Sequence, residues 1–219
     1  MYKFLKRFFD ILFAILLIVI SLPFMLPILI ALKLTGEKEA FYFQARIGYQ
    51  NKPFQIWKLV TMVRNSLEIG GEITLRNDPR VTRLGHYLRL SKLNEFPQLL
   101  NILLGEMSFV GPRPLLQESF VHYSPEVQAH IYDSLPGITG IGSIIFRDEE
   151  MLLTESNIPA QELYEKHIMP HKGRLEMWYQ QKKTFYVDCM ILLMTVAVLF
   201  SPKTQLPYRI FRDLPKRNF

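Results

Sequence analysis

The stretch ILFAILLIVISLPFMLPILIAL, residues 11–32, carries no charged side chain. Wound as an α-helix with a rise of about 1.5 Å per residue, it is long enough for a hydrocarbon layer about 30 Å thick. A cleaved secretory signal fits poorly: the run is long, it lacks a small-residue cleavage site, and basic residues follow it. Two features speak against a simple straight span. Pro23 and Pro27 each remove a backbone donor and crowd the carbonyl four residues back, which bends a helix. Ser21 can lend its hydroxyl to a freed carbonyl and lower the cost of that bend in lipid. The second feature is charge. Lys3, Lys6 and Arg7 precede the run, and Lys33, Lys38 and Arg46 follow it. Positive residues therefore give little reason to place the two ends on opposite sides. A re-entrant helix that breaks near Ser21-Leu22-Pro23 and returns to the face it entered satisfies both features. A tilted span kinked at the prolines is the alternative. A buried soluble helix is disfavoured, because no face of the run is polar.

The rest of the chain is consistent with one soluble domain on that anchor. The 219 residues carry a formal charge of +6, and 49% are hydrophobic, enough for a sizeable core. A basic balance points to an anionic partner: nucleic acid, a phospholipid surface or a phosphorylated ligand. Nucleic acid is set aside, because the sequence shows no aromatic–basic interleaving on a sheet, no helix-turn-helix and no zinc spacing. The single cysteine, Cys189, excludes an intrachain disulfide and sits among apolar neighbours, as an inert thiol does. A second apolar run, Cys189 to Phe200, reaches only roughly 18 Å as a helix. Flanking aromatic and basic residues suit an element lying in the membrane interface, with a core helix equally open.

Within the soluble part, FYFQARIGYQNKPFQIWKLVTM (41–62) reads as two short strands around a turn at Tyr49 to Pro53. The segment KLNEFPQLLNILLGEMSFVGPRP, residues 92–114, places Leu93, Phe96, Leu99, Leu100 and Leu103 at helical spacing, with Gly105 as a stop. VGPRPLL is extended, since a residue before proline is pushed out of the helical region. SPEVQAHIYDSL is a short helix capped by Ser124 with Pro125 in its first turn. PGITGIGS is a glycine-punctuated loop, and PAQELYEKHIMPHKGRLEMWYQQKKTF is helical with a break at Pro170. The expected fold class is α/β, mostly helical. The expected units are a re-entrant membrane helix over 1–38, a cytoplasmic catalytic domain with interfacial amphipathic helices over 39–200, and a basic tail over 201–219.

FYFQARIG, FQIWKLVTM, NDPRVTRLGHYLR, LNEFPQLLNILLGEMSFVGPRP, PGITGIGS and FYVDCMILLMTV fall in this order along nearly the whole chain. Together they resemble the bacterial sugar transferases known as monotopic polyprenol-phosphate phosphoglycosyl transferases, in their short form of little beyond a catalytic core. The resemblance implies an enzyme with a re-entrant helix on the cytoplasmic face of the bacterial inner membrane. It implies transfer of a phospho-sugar from a UDP-sugar to polyprenol phosphate, release of UMP, a need for Mg²⁺, and a product that starts a glycan on its lipid carrier. Homodimerisation stays open.

Charge builds on phosphoryl oxygens as a diphosphate bond breaks, so cations must stand there. Lys58 and Arg113 supply them, and Pro112 with Pro114 stiffens the backbone around the Arg113 fork. By resemblance Lys58, Arg89 and Arg113 are phosphate and nucleotide contacts, and Pro79 with Arg80 lies near the uridine. The family pattern places Asp-Glu where this chain has Asn94-Glu95: the Asp attacks phosphorus, and the Glu serves the metal or a proton. An amide is a poor nucleophile and a weak Mg²⁺ ligand. Four readings stay open: Glu95 takes over metal binding and even attack; polyprenol phosphate attacks directly while Glu95 orients the metal; Asn94 is an engineered block; or the protein is a non-catalytic homologue that binds nucleotide sugars or anchors partners at the membrane. Two further departures are Asp148-Glu149-Glu150, either a substitute carboxylate source or a solvated turn, and Glu176, where an Asp is common.

Overall fold

The computed structural model describes residues 1–70, 78–200 and 205–217. The described chain is mostly helical with two small sheets. Helix α1 spans Tyr2–Leu34 and holds helical geometry through both prolines. The expected break near Ser21 is therefore not an end of the helix. Pro23 and Pro27 are four residues apart, so both weaken the same helix face and leave the rest of the ladder intact. The Ser21 hydroxyl donates to the Ile18 carbonyl at 3.1 Å, not to the Val19 carbonyl that Pro23 leaves without its donor.

Most of α1 is bare. Phe8, Leu16, Val19, Ile20, Phe24 and Ile30 are all exposed, a surface that only lipid or another apolar face covers at low cost. One narrow side is docked, at two places. Ala14 and Ile18 pack with Ile56, Leu99, Ile102 and Met107. Farther along, Ile28, Leu29 and Leu32 pack with Ala40, Leu59 and Leu88. Before the first contact, Lys6 forms an ion pair with Asp188 at 2.7 Å and also donates to the Val110 carbonyl. Tyr2 and Tyr179 donate to the same Asp188 carboxylate. Arg7 donates to the Ile102 and Leu103 carbonyls, placing a cation at the end of a helix where carbonyls lack partners.

Strands β1 (Phe41–Ile47) and β2 (Pro53–Leu59) form the expected antiparallel hairpin, with Tyr42 opposite Lys58 and Arg46 opposite Phe54. Short helices α2 (Ser66–Gly70) and α3 (Arg83–Leu90) follow, the second capped by Thr82. A tight turn over Leu93–Glu95 precedes α4 (Gln98–Leu104), which stops at Gly105 with φ 84°, as expected. Strand β3 (Ser108–Val110) comes next, then α5 (Gln117–Phe120) and α6 (Pro125–His130), the latter capped by Ser124. The glycine segment is not a plain loop. Gly137–Thr139 is strand β4, parallel to β3, and Ile141–Ile145 is helix α7. Glycine is required there by close backbone approach: a Cβ on Gly137 would lie 2.2 Å from the Gly111 nitrogen.

Helices α8 (Glu149–Glu155) and α9 (Ala160–Leu163) lead through a π-helical turn at Tyr164–Ile168 into α10 (Met169–Lys182). Pro170 thus sits in the first turn of a helix rather than breaking one, and the wider turn before it absorbs the missing donor. Helix α11 (Phe185–Phe200) combines both readings of the second apolar run. Val187, Ile191, Met194 and Val198 are buried in the main core, while Tyr186, Leu193, Val196 and Phe200 are exposed. The expected tail folds back through α12 (Leu206–Ile210), and Phe211 and Leu214 join the core beside Trp178.

Asn101 of α4 is completely buried. Its amide oxygen accepts from the Trp57 N–H at 3.0 Å, and its NH₂ donates to the Gln55 carbonyl and the Glu106 carboxylate, both at 2.7 Å. An Asn101→Ala substitution orphans all three groups, including a carboxylate. We expect a loss of roughly 3 kcal/mol, read as a lowered midpoint in thermal unfolding of the detergent-solubilised protein. An unchanged midpoint would remove Asn101 as the tie between β2 and α4.

Candidate active site

The residues that line one shallow cleft are Arg46, Ile56 and Lys58 from the hairpin, Gln98 from α4, Arg113 and Pro114 after β3, and Gly137 from β4. Glu95 joins them through Arg113, whose Nη2 lies 3.0 Å from Glu95 Oε1. Arg113 is half exposed, whereas Glu95 is largely covered. Three of the four residues expected to carry chemistry, Lys58, Glu95 and Arg113, are thus brought together from segments far apart in the chain. The fourth, Asn94, lies in the same turn as Glu95, and its amide oxygen is buried without a partner among the described residues.

Backbone bonds hold Arg113 in place. The Tyr132 hydroxyl donates to the Arg113 carbonyl at 2.8 Å and accepts from the Leu115 N–H at 3.0 Å. Gly137 N–H donates to the Pro112 carbonyl, and Ile47 N–H to the Leu115 carbonyl. The segment VGPRP is therefore stitched between β1 and β4, and only the Arg113 side chain is left to point outward from fixed backbone. Tyr132 is 1% exposed, which makes its hydroxyl a dry, well-aligned strut.

Arg46 is a charged cleft residue that the sequence did not single out as functional. Its Nε and Nη2 donate to Gln44 Oε1, and its Nη1 approaches the Pro114 carbonyl at 3.4 Å. The signal was present in the alternation of a strand: Tyr42, Gln44 and Arg46 share the hairpin face of Lys58. Arg89 ends α3, and its charge is felt at Lys58 and at Asp78. Pro79 and Arg80 do not line the cleft. Arg80 is buried, with Nε 2.9 Å and Nη2 2.6 Å from the two Asp78 oxygens, and it donates to the Ser66 carbonyl. That guanidinium holds a loop together, and Pro79 is exposed beside it.

The acidic departures resolve differently from one another. Asp148 pairs with Arg217, Glu149 pairs with Lys172, and Glu150 is exposed, so the first two are not a solvated turn. Glu176 is buried behind Gly142, whose added Cβ would strike the Glu176 carboxylate at 2.3 Å. Burial pushes the Glu176 carboxyl up to about 8 against the pull of Lys172, so it is a neutral acid at pH 7. Among the described residues no group of three or more His, Cys, Asp or Glu could hold a metal ion.

Crowded cations set the electrostatics. Burial first, then the charge of Arg46, and also Arg113 and Arg89, bring the Lys58 ammonium down to about 7, against the pull of Glu95. Burial alone would lift the Glu95 carboxyl, but Arg113, Lys58 and Lys92 hold it at about 2. The cleft is thus short of negative charge, a field that favours a polyanion. A bound diphosphate favours the charged form of Lys58, so binding draws a proton onto that amine. Below pH 7 the proton is already there; above it, affinity falls by up to about tenfold per pH unit until the bound-state pKa is passed. Titration of inorganic pyrophosphate between pH 6 and 9 should show that fall, and Lys58→Arg should flatten it. A flat profile in the unaltered protein would refute the coupling.

Comparison with known proteins fits this geometry. A family model described as bacterial sugar transferase matches residues 1–202. The UDP-galactose-lipid carrier transferase of Erwinia amylovora is 31% identical over 214 residues, 91% of this chain and 41% of that protein. The UDP-glucose:undecaprenyl-phosphate glucose-1-phosphate transferase of Caulobacter vibrioides is 41% identical over 144 residues, 64% of this chain and 53% of its own. A sugar transferase of Bacillus subtilis called EpsL is 34% identical over 202 residues, 92% of this chain and 90% of its own. The chain spans about two fifths of the length of the Erwinia relative and about half of the Caulobacter one. With a family model covering nearly the whole chain and the cationic cleft inside it, this protein belongs to the bacterial sugar transferase family.

Proposed function

We propose that the protein transfers a phospho-sugar from a UDP-sugar to polyprenol phosphate and releases UMP, as a first membrane step of glycan synthesis. The observation that carries this reading is the convergence of Lys58, Arg46, Arg113 and Glu95 in one cleft of a domain docked on a bare apolar helix. The relatives' names supply the substrate class. A diphosphate between these cations has its developing charge met without rearrangement. The lipid phosphate oxygen forms the new bond to the sugar-bearing phosphorus. The bond from that phosphorus to the bridging oxygen breaks, and UMP leaves with the electron pair.

Direct attack by the lipid phosphate suits this chain better than an enzyme-bound intermediate. Asn94 has no nucleophilic oxygen anion, and Glu95 spends one oxygen on Arg113. Mg²⁺ is commonly held by one or two carboxylates together with substrate phosphates. The second Glu95 oxygen would suit that mode together with substrate phosphates, and the Asn94 amide oxygen would add only a weak ligand. When bound there, the ion would neutralise charge on the diphosphate. Asn94 also favours a second reading, a protein that binds nucleotide sugar without turning it over.

The membrane placement is a re-entrant helix with the domain on the cytoplasmic face. Docking of both arms of α1 on the same domain supports it, since Ala14 packs with Ile56 and Leu32 with Leu59 of one strand. In a cysteine scan of residues 1–40 in a Cys189→Ser background, both ends should label from the cytoplasmic side; labelling from opposite sides would sink the placement.

Release of UMP from UDP-sugars with Mg²⁺ and polyprenol phosphate is expected for the protein as it stands. Arg113→Ala should lower kcat/KM by about 10²–10³. Turnover by Asn94→Asp alone would favour the non-catalytic reading.

A further inference from the structure

Gln98, the first residue of α4, lines the cleft together with Arg46, Lys58 and Arg113. It is only 3% exposed, so nearly all of its side chain is enclosed, and it borders the cleft. Among the described residues its amide makes no hydrogen bond. A buried amide without a partner lowers stability, and a ligand that supplies the partner recovers the loss.

The helix sets the direction of this side chain. Gln98 and Asn101 are three residues apart and share a face of α4. Asn101 uses that face to bind the β2 backbone at Gln55 and Trp57. Gln98 therefore stands on the side of α4 that meets β2, where Ile56 and Lys58 also line the cleft.

Two of the cations beside it are already engaged. Arg113 pairs with Glu95, and Arg46 donates to the Gln44 amide oxygen. The Lys58 ammonium, like the Gln98 amide, makes no hydrogen bond or ion pair among the described residues. One cleft is thus bordered by a cation and a neutral amide that both lack an internal partner. An anionic oxygen accepts several hydrogen bonds and donates none, so it suits an ammonium and an amide NH₂ at once. Three cations around the cleft favour that anion over a neutral hydroxyl. An amide adds a contact without adding charge, so it brings no further repulsion to cations already crowded together.

Resting on the phospho-sugar transferase reading above, we propose that Gln98 is a substrate-contacting residue whose side-chain NH₂ donates to a phosphoryl oxygen of the nucleotide-sugar diphosphate, beside Lys58.

The test is calorimetric titration of inorganic pyrophosphate into the full-length, detergent-solubilised protein, with UMP release and the thermal midpoint read alongside. Gln98→Met keeps the length and apolar stem and removes both polar atoms. Its pyrophosphate affinity should fall about tenfold or more, while the midpoint holds or rises because an unpaired buried amide is gone. Unchanged affinity overturns the contact, even where UMP release falls, since Gln98 would then serve the sugar or the nucleoside. Affinity and midpoint lowered together mark a structural residue and also overturn it. Should the Met variant fail to fold, Gln98→Glu, of nearly the same shape, decides: at pH 8 its carboxylate should weaken pyrophosphate binding by more than about tenfold, and equal affinity overturns the contact. An unaltered protein that releases UMP but binds no pyrophosphate overturns the contact and leaves the transferase reading standing. Absence of both in the unaltered protein overturns both.

Discussion

Asn101 is the point on which the cleft depends. Its side chain satisfies a donor and an acceptor of β2, on either side of Ile56, and also binds Glu106. Lys58 follows Trp57 directly, Glu95 lies three residues before the first residue of the helix that carries Asn101, and Glu106 leads into the strand that ends before Arg113. One buried amide thus sets the distances among three charged side chains that would otherwise repel or drift. A buried amide with every bond made is stiff because any displacement leaves a polar group without a partner in a dry interior. The Tyr132 hydroxyl repeats the device on the far side, bridging the backbone on both sides of Pro114.

The same economy of buried polar groups docks the long apolar helix. Lys6, Tyr2 and Tyr179 converge on Asp188, and Asp10 accepts from the Phe109 N–H. The apolar helix cannot use the hydrophobic effect against lipid to choose its orientation, because lipid tails are as apolar as its own side chains. Polar contacts at its first turns and small or aliphatic contacts farther along fix which side faces the domain. The domain that carries the cleft is thereby held against one side of this apolar helix.

Function in this arrangement follows from charge imbalance. Cations outnumber the single carboxylate at the cleft, so one amine is pushed near neutrality and the carboxyl is held ionised. A polyanion in the cleft would offset the crowding that depresses Lys58, whereas the pairing that holds Glu95 ionised is already favourable. Asn94 changes the chemistry, not this field: an amide neither adds to nor subtracts from the charge that receives the substrate.

Much of this was legible in the sequence. The likeness of the motifs to a family put Lys58, Glu95 and Arg113 in one site; the charge-free run required an apolar surface, the alternation of 41–59 required a hairpin, and Gly105 and Ser124 marked helix ends. The last three are local matters, decided by periodicity, capping and proline sterics within a few residues. Four matters were decided only by tertiary structure. The β3–β4 pair joins strands about thirty residues apart through glycines that allow close backbone approach. Arg80 is taken up by Asp78 and Ser66 instead of the cleft. Arg46 enters the cleft only because Gln44 aims it. Glu149 is paired only because Lys172 reaches it from another helix. Each depends on partners distant in sequence or on competition between partners. The chain alone gives residue types and spacing; only packing decides which charges meet.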